Sequence, residues 1–285
     1  MRKQETLSGG LRSSRRNLVK IGAIVASAII AKTTLAVAND FRRDDFDWDR
    51  NRDRDRDHNK DSHCFLKGTI IRTADGGRKI EDLADGDLLP TVFGGICPIQ
   101  SIGYYPYRKS DRAKSWVKDV LPVRIARSAL GPDLPHADLY VTMEHALLID
   151  GVLVTAGSLI NGTTITVYDP RERDELEFFH IKLERHNAIY AEGASCETLR
   201  NVEDSAVNFA EYLRNYGHPT IQEAPCAPLL SCTGGRREIR SRFRSAISPW
   251  IDRRQKLDII RDELEERGIA VLRDRNSSRD CGMFV

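Results

Sequence analysis

Between Cys64 and Arg200 the chain is cut into short apolar runs: "GTIIRT", "LPVRIA", "DLYVTMEHALLIDGVLVTAGSLI", "TTITVYD" and "LEFFHIKLERHNAIYAEGA". Gly, Pro and Asp punctuate them roughly every eight to twelve residues, the spacing of strands in an all-β domain. The first strand is expected over Thr69 to Thr73, with a glycine turn at Asp75 to Gly77 and a second tight turn in "ADGDLL", where Asp85 and Asp87 act as turn residues. The fold class expected is therefore mainly β.

Helical periodicity begins after residue 200. In "NVEDSAVNFAEYLRNYG" Asn201 is placed to cap, and Val207, Phe209, Ala210 and Leu213 form a partial apolar face. In "SPWIDRRQKLDIIRDELEERG" Ile251, Leu257, Ile260 and Leu264 repeat at helical spacing, between an early Pro249 and a stop at Gly268. A smaller helical extension over 201–285 is expected behind the β domain of 64–200.

The N-terminus has a different character. "SSRRNLVKIGAIVASAII" pairs Arg15 with Arg16, continues through Leu18 and Lys20, and runs apolar from Ile21 to Ala31. That run is short for a membrane span, and "AVA" at Ala36 to Ala38 fits a signal-peptidase site. A twin-arginine (Tat) signal over 1–38 is expected, with the Tat translocase as a partner, export to a periplasm or beyond, and no stable transmembrane span after its removal. The alternative is an uncleaved anchor. Residues 39–63, "NDFRRDDFDWDRNRDRDRDHNKDSH", are rich in Asp and Arg and carry too little apolar surface to offset the entropy of ordering, so a disordered linker is expected.

Charged residues make up 30% of the 285, yet the net charge is +2, so no pooled basic surface for nucleic acid is implied. The locally basic "RREIRSRFR" reads as an exposed helix face. The six cysteines show no CxxC spacing, and the histidines lack helical i, i+4 spacing, so neither a metal nor another cofactor is expected. Export would let disulfides persist, and Cys226 with Cys232 is the pair most easily bridged.

Three features stand out for chemistry: Cys64 at the first position of the β domain, Thr142 and His145 in "VTMEHALLIDG", and His180 and His186 in "FFHIKLERHNAIYAEG". Singly, each reads as an ordinary core cysteine or a hydrogen-bonded structural histidine. Cys196, in "AEGASCETL", reads as a small buried residue at the domain's end, with a second thiol acceptor as the alternative.

In this order, however, the segments resemble the Hint fold shared by hedgehog autoprocessing domains and inteins. "CFLKGTIIRTADGGRKIEDLADGD" resembles the family's first motif, in which a nucleophilic Cys heads a strand, and "TMEH" resembles its Thr-x-x-His signature. "LPHADLYVTMEHALLIDGVLVTAGSLING", "FFHIKLERHNAIYAEG" and "SPWIDRR" look like a bacterial subgroup. The resemblance implies that the Cys64 thiol attacks the carbonyl of His63, turning the His63–Cys64 amide into a thioester within one residue, where proximity replaces encounter. The substrate is then the chain's own N-terminal segment.

His145 is the expected proton donor to the leaving nitrogen, with Thr142 placed to hydrogen-bond the distorted peptide. His186, and in an accessory way His180, would assist if adjacent strands bring them near Cys64; otherwise they are structural. "HN" at His186 and Asn187 is followed by Ala188 and a continuing strand, so splicing is not expected, and water or an external nucleophile would resolve the thioester. Two other readings stay open. One is a catalytically inactive Hint-fold binding or scaffold module. The other is a trans-acting cysteine hydrolase, disfavoured because such nucleophiles usually sit at a helix N-terminus, whereas Cys64 precedes a strand.

Overall fold

A computed structural model describes residues 63–109, 111–202, 210–217, 223–231, 239–240, 245 and 255–281. The expected signal segment with Arg15 and Arg16, the Asp/Arg tract up to residue 62, "SPWIDRR" and Cys232 lie outside the described residues. No helix among the described residues is long and apolar enough to cross a membrane.

The domain opens on a two-residue strand, β1 (Phe65–Leu66), followed by the hairpin of β2 (Ile70–Thr73) and β3 (Gly76–Lys79), then β4 (Leu88–Thr91) and the long β5 (Gly95–Arg108). Next come β6 (Val123–Ile125), β7 (Leu139–Val141), the hairpin of β8 (Ala146–Ile149) and β9 (Val152–Thr155), and β10 (Ile165–Val167). β11 (Glu175–Leu183), β12 (Ala188–Ala191) and β13 (Ala194–Glu197) complete the domain, and β14 (Leu229–Leu230) is added from the tail. The tail carries the helices α1 (Ala210–Tyr216) and α2 (Lys256–Cys281). The architecture is mainly β with a helical C-terminal segment.

β5 organises the sheet because it has two partners in succession. Its first residues pair with β4, from Thr91 opposite Gly95 to Leu88 opposite Pro98, and the rest pair with β11, from Ile99 opposite Leu183 to Arg108 opposite Glu175. Along it Ile99, Ser101 and Gly103 are buried while the residues between them are less so, the alternation of a strand with one face in the core. The strands on the β11 side run β10, β6, β7, β1, β11; those on the β4 side run β4, β12, β13, β8, β9, β14. Between them lies a core that includes Ile71, Ile80, Leu89, Ile125, Leu139, Leu147 and Ile165.

Two glycines differ in role from the sequence expectation. Thr73 pairs with Gly76, so the turn is Ala74–Asp75 and Gly77 is a strand residue; a Cβ at Gly77 would come within 2.8 Å of Ile70 Cγ2. Gly268 does not stop a helix, because α2 continues to Cys281. Leu257, Ile260 and Leu264 are buried in line with it, and a Cβ at Gly268 would come within 2.5 Å of Thr163 Oγ1. The glycine lets helix and loop approach closely, which outweighs its weak helix propensity. The helix start is fixed by Asp258, whose carboxylate accepts the Gln255 N–H at 2.8 Å, one half of a capping box.

Candidate active site

The site follows from where β1 is inserted. Phe65 pairs with Val141 of β7 on one side and with Phe179 of β11 on the other. Continuing both antiparallel registers by one residue sets Cys64 level with Thr142 and with His180. "TMEH" and "FFHIKL" thus flank the first residue of the domain from opposite sides, although they are remote in sequence.

Thr142 is bonded to Cys64 twice. The Cys64 N–H donates to Thr142 Oγ1 at 2.9 Å, and the Thr142 N–H donates to the Cys64 carbonyl at 3.0 Å. The His63–Cys64 amide therefore has its nitrogen on a side-chain hydroxyl. The His145 N–H closes a turn onto the Thr142 carbonyl at 3.2 Å, which brings its ring back over the same peptide. That ring is fully buried, stands edge-on to Phe65 with centroids 4.3 Å apart, and lies beside the His63 and Cys64 backbone. Neither of its nitrogens makes a hydrogen bond of ordinary geometry. Burial lowers the His145 pKa to about 4, against the pull of Glu197, so the imidazole is neutral at pH 7.

His63 is held as firmly as the residues that follow it. Its Nδ1 lies 2.7 Å from Glu197 Oε1, and its ring is stacked on His180 with centroids 6.1 Å apart. His180 is buried, and burial first, then the neighbouring His63 and His145, keep its pKa well below the ordinary histidine range.

Glu197 was not a sequence candidate, yet it joins the cluster together. It is 4% exposed; Oε1 also accepts the Ala146 N–H at 2.7 Å, and Oε2 faces His186 Nε2 at 3.3 Å, a distance of attraction but off hydrogen-bond alignment. Burial by itself would raise the Glu197 carboxyl, but the facing imidazoles of His186 and His63 outweigh it and hold the group ionised well below the usual carboxylate range. The signal in sequence was slight: one acidic residue in "SCETL", at the end of the otherwise uncharged β13.

His180 is therefore beside His63, whereas His186 reaches it through Glu197. The His186 Nδ1 accepts the Cys226 N–H at 2.9 Å. Cys196 is fully buried in the main core, where desolvation raises its thiol pKa. Cys226 is a free thiol and its expected partner Cys232 lies outside the described residues.

The Cys64 thiol occupies different surroundings. It packs with Leu66, Trp116, Leu176 and Phe178, with Tyr105 and Tyr107 at the margin. At 1% exposure it is a protonated thiol, since burial raises its pKa strongly. Among the described residues no group of His, Cys, Asp or Glu side chains is arranged to hold a metal ion. The arrangement as a whole places one peptide bond between a buried thiol, a hydroxyl on the amide nitrogen and a neutral imidazole, with its acyl residue tied to a carboxylate.

Residues 63–203 match the model of the family described as the Hint domain. No curated protein matches the chain. Solved structures with some likeness include the gp41-1 intein, at 14% identity over 48% of this chain and 98% of that one, with a TM-score of 0.34. Another is a bacterial intein-like domain from Clostridium thermocellum, at 14% identity over 49% and 100% of the two chains, with a TM-score of 0.34. A third is a DnaB intein from Synechocystis sp. PCC 6803, at 13% over 48% and 99%, with a TM-score of 0.32. By the family match, the β domain of this chain has the Hint fold over residues 63–203.

Proposed function

We propose that this Hint domain cleaves its own chain at His63–Cys64. The Cys64 sulfur attacks the His63 carbonyl carbon, the C–N bond breaks, the thiol gives up its proton and the amide nitrogen gains one, leaving a His63 thioester and a free Cys64 amine. His145 is the group that conveys the proton to nitrogen, Thr142 holds that nitrogen, and Glu197 with His180 fixes the His63 side of the bond. His186 acts through Glu197 as a positioning residue. Water or an external nucleophile then releases the segment ending at His63.

The observation that carries this reading is the 2.9 Å hydrogen bond from the Cys64 N–H to Thr142 Oγ1, with the His145 ring against the same peptide. Acyl shift without splicing is favoured by Asn187, whose Oδ1 accepts the N–H groups of Phe93 and Ala188 at the head of β12, where the chain runs on. Intact-mass measurement of chain lacking residues 1–38, incubated with and without a thiol, tests the reading. A species starting at Cys64 is expected, and Cys64→Ala should abolish it.

The proposal extends to the N-terminus: Arg15 and Arg16 mark export by the Tat translocase, and the segment left after signal removal is the substrate. Because Tat carries folded proteins, cleavage must be slower than export or begin outside. Sequencing the N-termini of cytoplasmic and exported forms tests this, and a cytoplasmic pool already starting at Cys64 would contradict it.

A second reading, an inactive Hint-fold binding or scaffold module exported in the same way, is favoured by the same burial that raises the Cys64 thiol pKa. An uncut chain unaffected by thiol would select it.

A further inference from the structure

The family match ends at residue 203, but the site does not. Residues 223–231 return to the β domain and lie along it. The Leu153 N–H donates to the Pro228 carbonyl at 2.8 Å, and Leu229 and Leu230 pair in parallel with Leu153 and Val154 of β9. Ala227 is buried against Ala146 and Leu153, the residue before it being Cys226.

The other end of this segment is anchored by charge. Glu223 accepts the His186 N–H through Oε1, and through Oε2 it pairs at 3.1 Å with the ammonium of Lys182, a residue 4% exposed in β11. The same ammonium donates to the Arg200 carbonyl at 3.1 Å, and the Glu223 N–H donates to Asn201 Oδ1 at 2.9 Å. A buried lysine left without its carboxylate would be costly, so Lys182 selects a bound segment over a released one.

Between the two anchors the Cys226 N–H meets His186 Nδ1. A backbone N–H can only donate, so Nδ1 is the unprotonated nitrogen and the ring proton sits on Nε2. That nitrogen faces Glu197 Oε2 at 3.3 Å, and the other oxygen of Glu197 holds His63, the residue whose carbonyl is attacked. One N–H from the tail thus sets the proton position two links from the scissile bond.

We propose that the tail segment 223–231 is an integral part of the self-processing site, and that the Cys226 backbone N–H is a positioning group fixing His186 as the Nε2–H tautomer. The consequence for cleavage rests on the self-cleavage reading above; the tautomer does not. The thiol of Cys226 has no part in it. The 63–203 region by itself lacks the donor to His186 Nδ1, so cleavage is conditional on the tail being docked.

The test pairs two variants of chain 39–285. Cys226→Ala keeps the N–H, whereas Cys226→Pro deletes it and leaves the rest of the strap. Nitrogen-15 spectra of the His186 ring should show Nε2–H in Cys226→Ala and a loss of that preference in Cys226→Pro. Cleavage should be at least about tenfold slower in Cys226→Pro than in Cys226→Ala, the loss of one oriented hydrogen bond, with a displaced pH profile. Should Cys226→Pro fail to fold by circular dichroism, Lys182→Met, which removes the anchor under Glu223, serves in its place with the same two readouts. The same tautomer in both chains, or cleavage of both at the same measurable rate, overturns the proposal. If neither chain cleaves, the self-cleavage reading fails, while the ring spectra still decide whether the strap sets the proton.

Discussion

The two sides of the His63–Cys64 bond differ sharply. On the acyl side are His63, His145, His180 and Glu197, a polar set in which an ionised carboxylate is buried among imidazoles. On the thiol side Cys64 is packed among Leu66, Trp116, Leu176 and Phe178. A thiolate is disfavoured in that apolar setting, so the site is not built like a cysteine hydrolase with a preformed nucleophile. Its advantage is position: the sulfur and the carbonyl belong to neighbouring residues, and the polar side need only manage the amide and its proton.

The largest effect should come from the polar side. His145→Ala removes the imidazole assigned to carry the proton to the leaving nitrogen and should slow cleavage roughly 10²- to 10⁴-fold, the usual range for a positioned acid or base; a time course by mass spectrometry measures it. A loss of only a few-fold would shift proton transfer to His180, the other buried imidazole on the same polar side.

The buried imidazole also ties stability to pH. The His145 pKa is lowered from about 6.5 to about 4, so the unfolded chain binds a proton in that interval and the folded one does not. Stability is full above about pH 6.5 and falls as the pH drops toward 4, by about 3 kcal/mol from this residue alone. His180 and Glu197 push in the same direction. Urea unfolding at several pH values checks it, and His145→Phe should flatten the slope.

Thr142→Val leaves the buried Cys64 N–H without its acceptor. A cost of about 1–2 kcal/mol is expected, read as about a tenfold slower cleavage with the fold retained. The smallest effect separates the thiols themselves. Half-buried Cys97 should react with iodoacetamide in the folded protein well before Cys64 and Cys196, both fully buried. Early labelling of Cys64 would mean that the apolar pocket opens, and the contrast between the two sides would lose its basis.

These contrasts were unevenly legible in the sequence. Cys64, Thr142 and His145 could be singled out because each lies within a local motif, and the many short strands declared a β domain. Glu197 was hidden because its partners are far along the chain, His63 being 134 positions away and Ala146 being 51. A single Glu in "SCETL" reads as surface until the fold encloses it. The segment 223–231 was illegible for the same reason: a backbone N–H carries no signature in sequence, and only the fold brings Cys226 to His186. Gly268 misled in the opposite way, since a glycine kept for close packing looks the same as one that ends a helix.

In the proposed reaction, cleavage between His63 and Cys64 passes through a thioester on the Cys64 sulfur. Incubating chain 39–285 with hydroxylamine and sequencing the released peptide by mass spectrometry tests it most directly. A peptide ending in a His63 hydroxamate, absent from Cys64→Ala, is expected. Release of the same peptide from Cys64→Ala, or an intact chain after prolonged incubation, would contradict it.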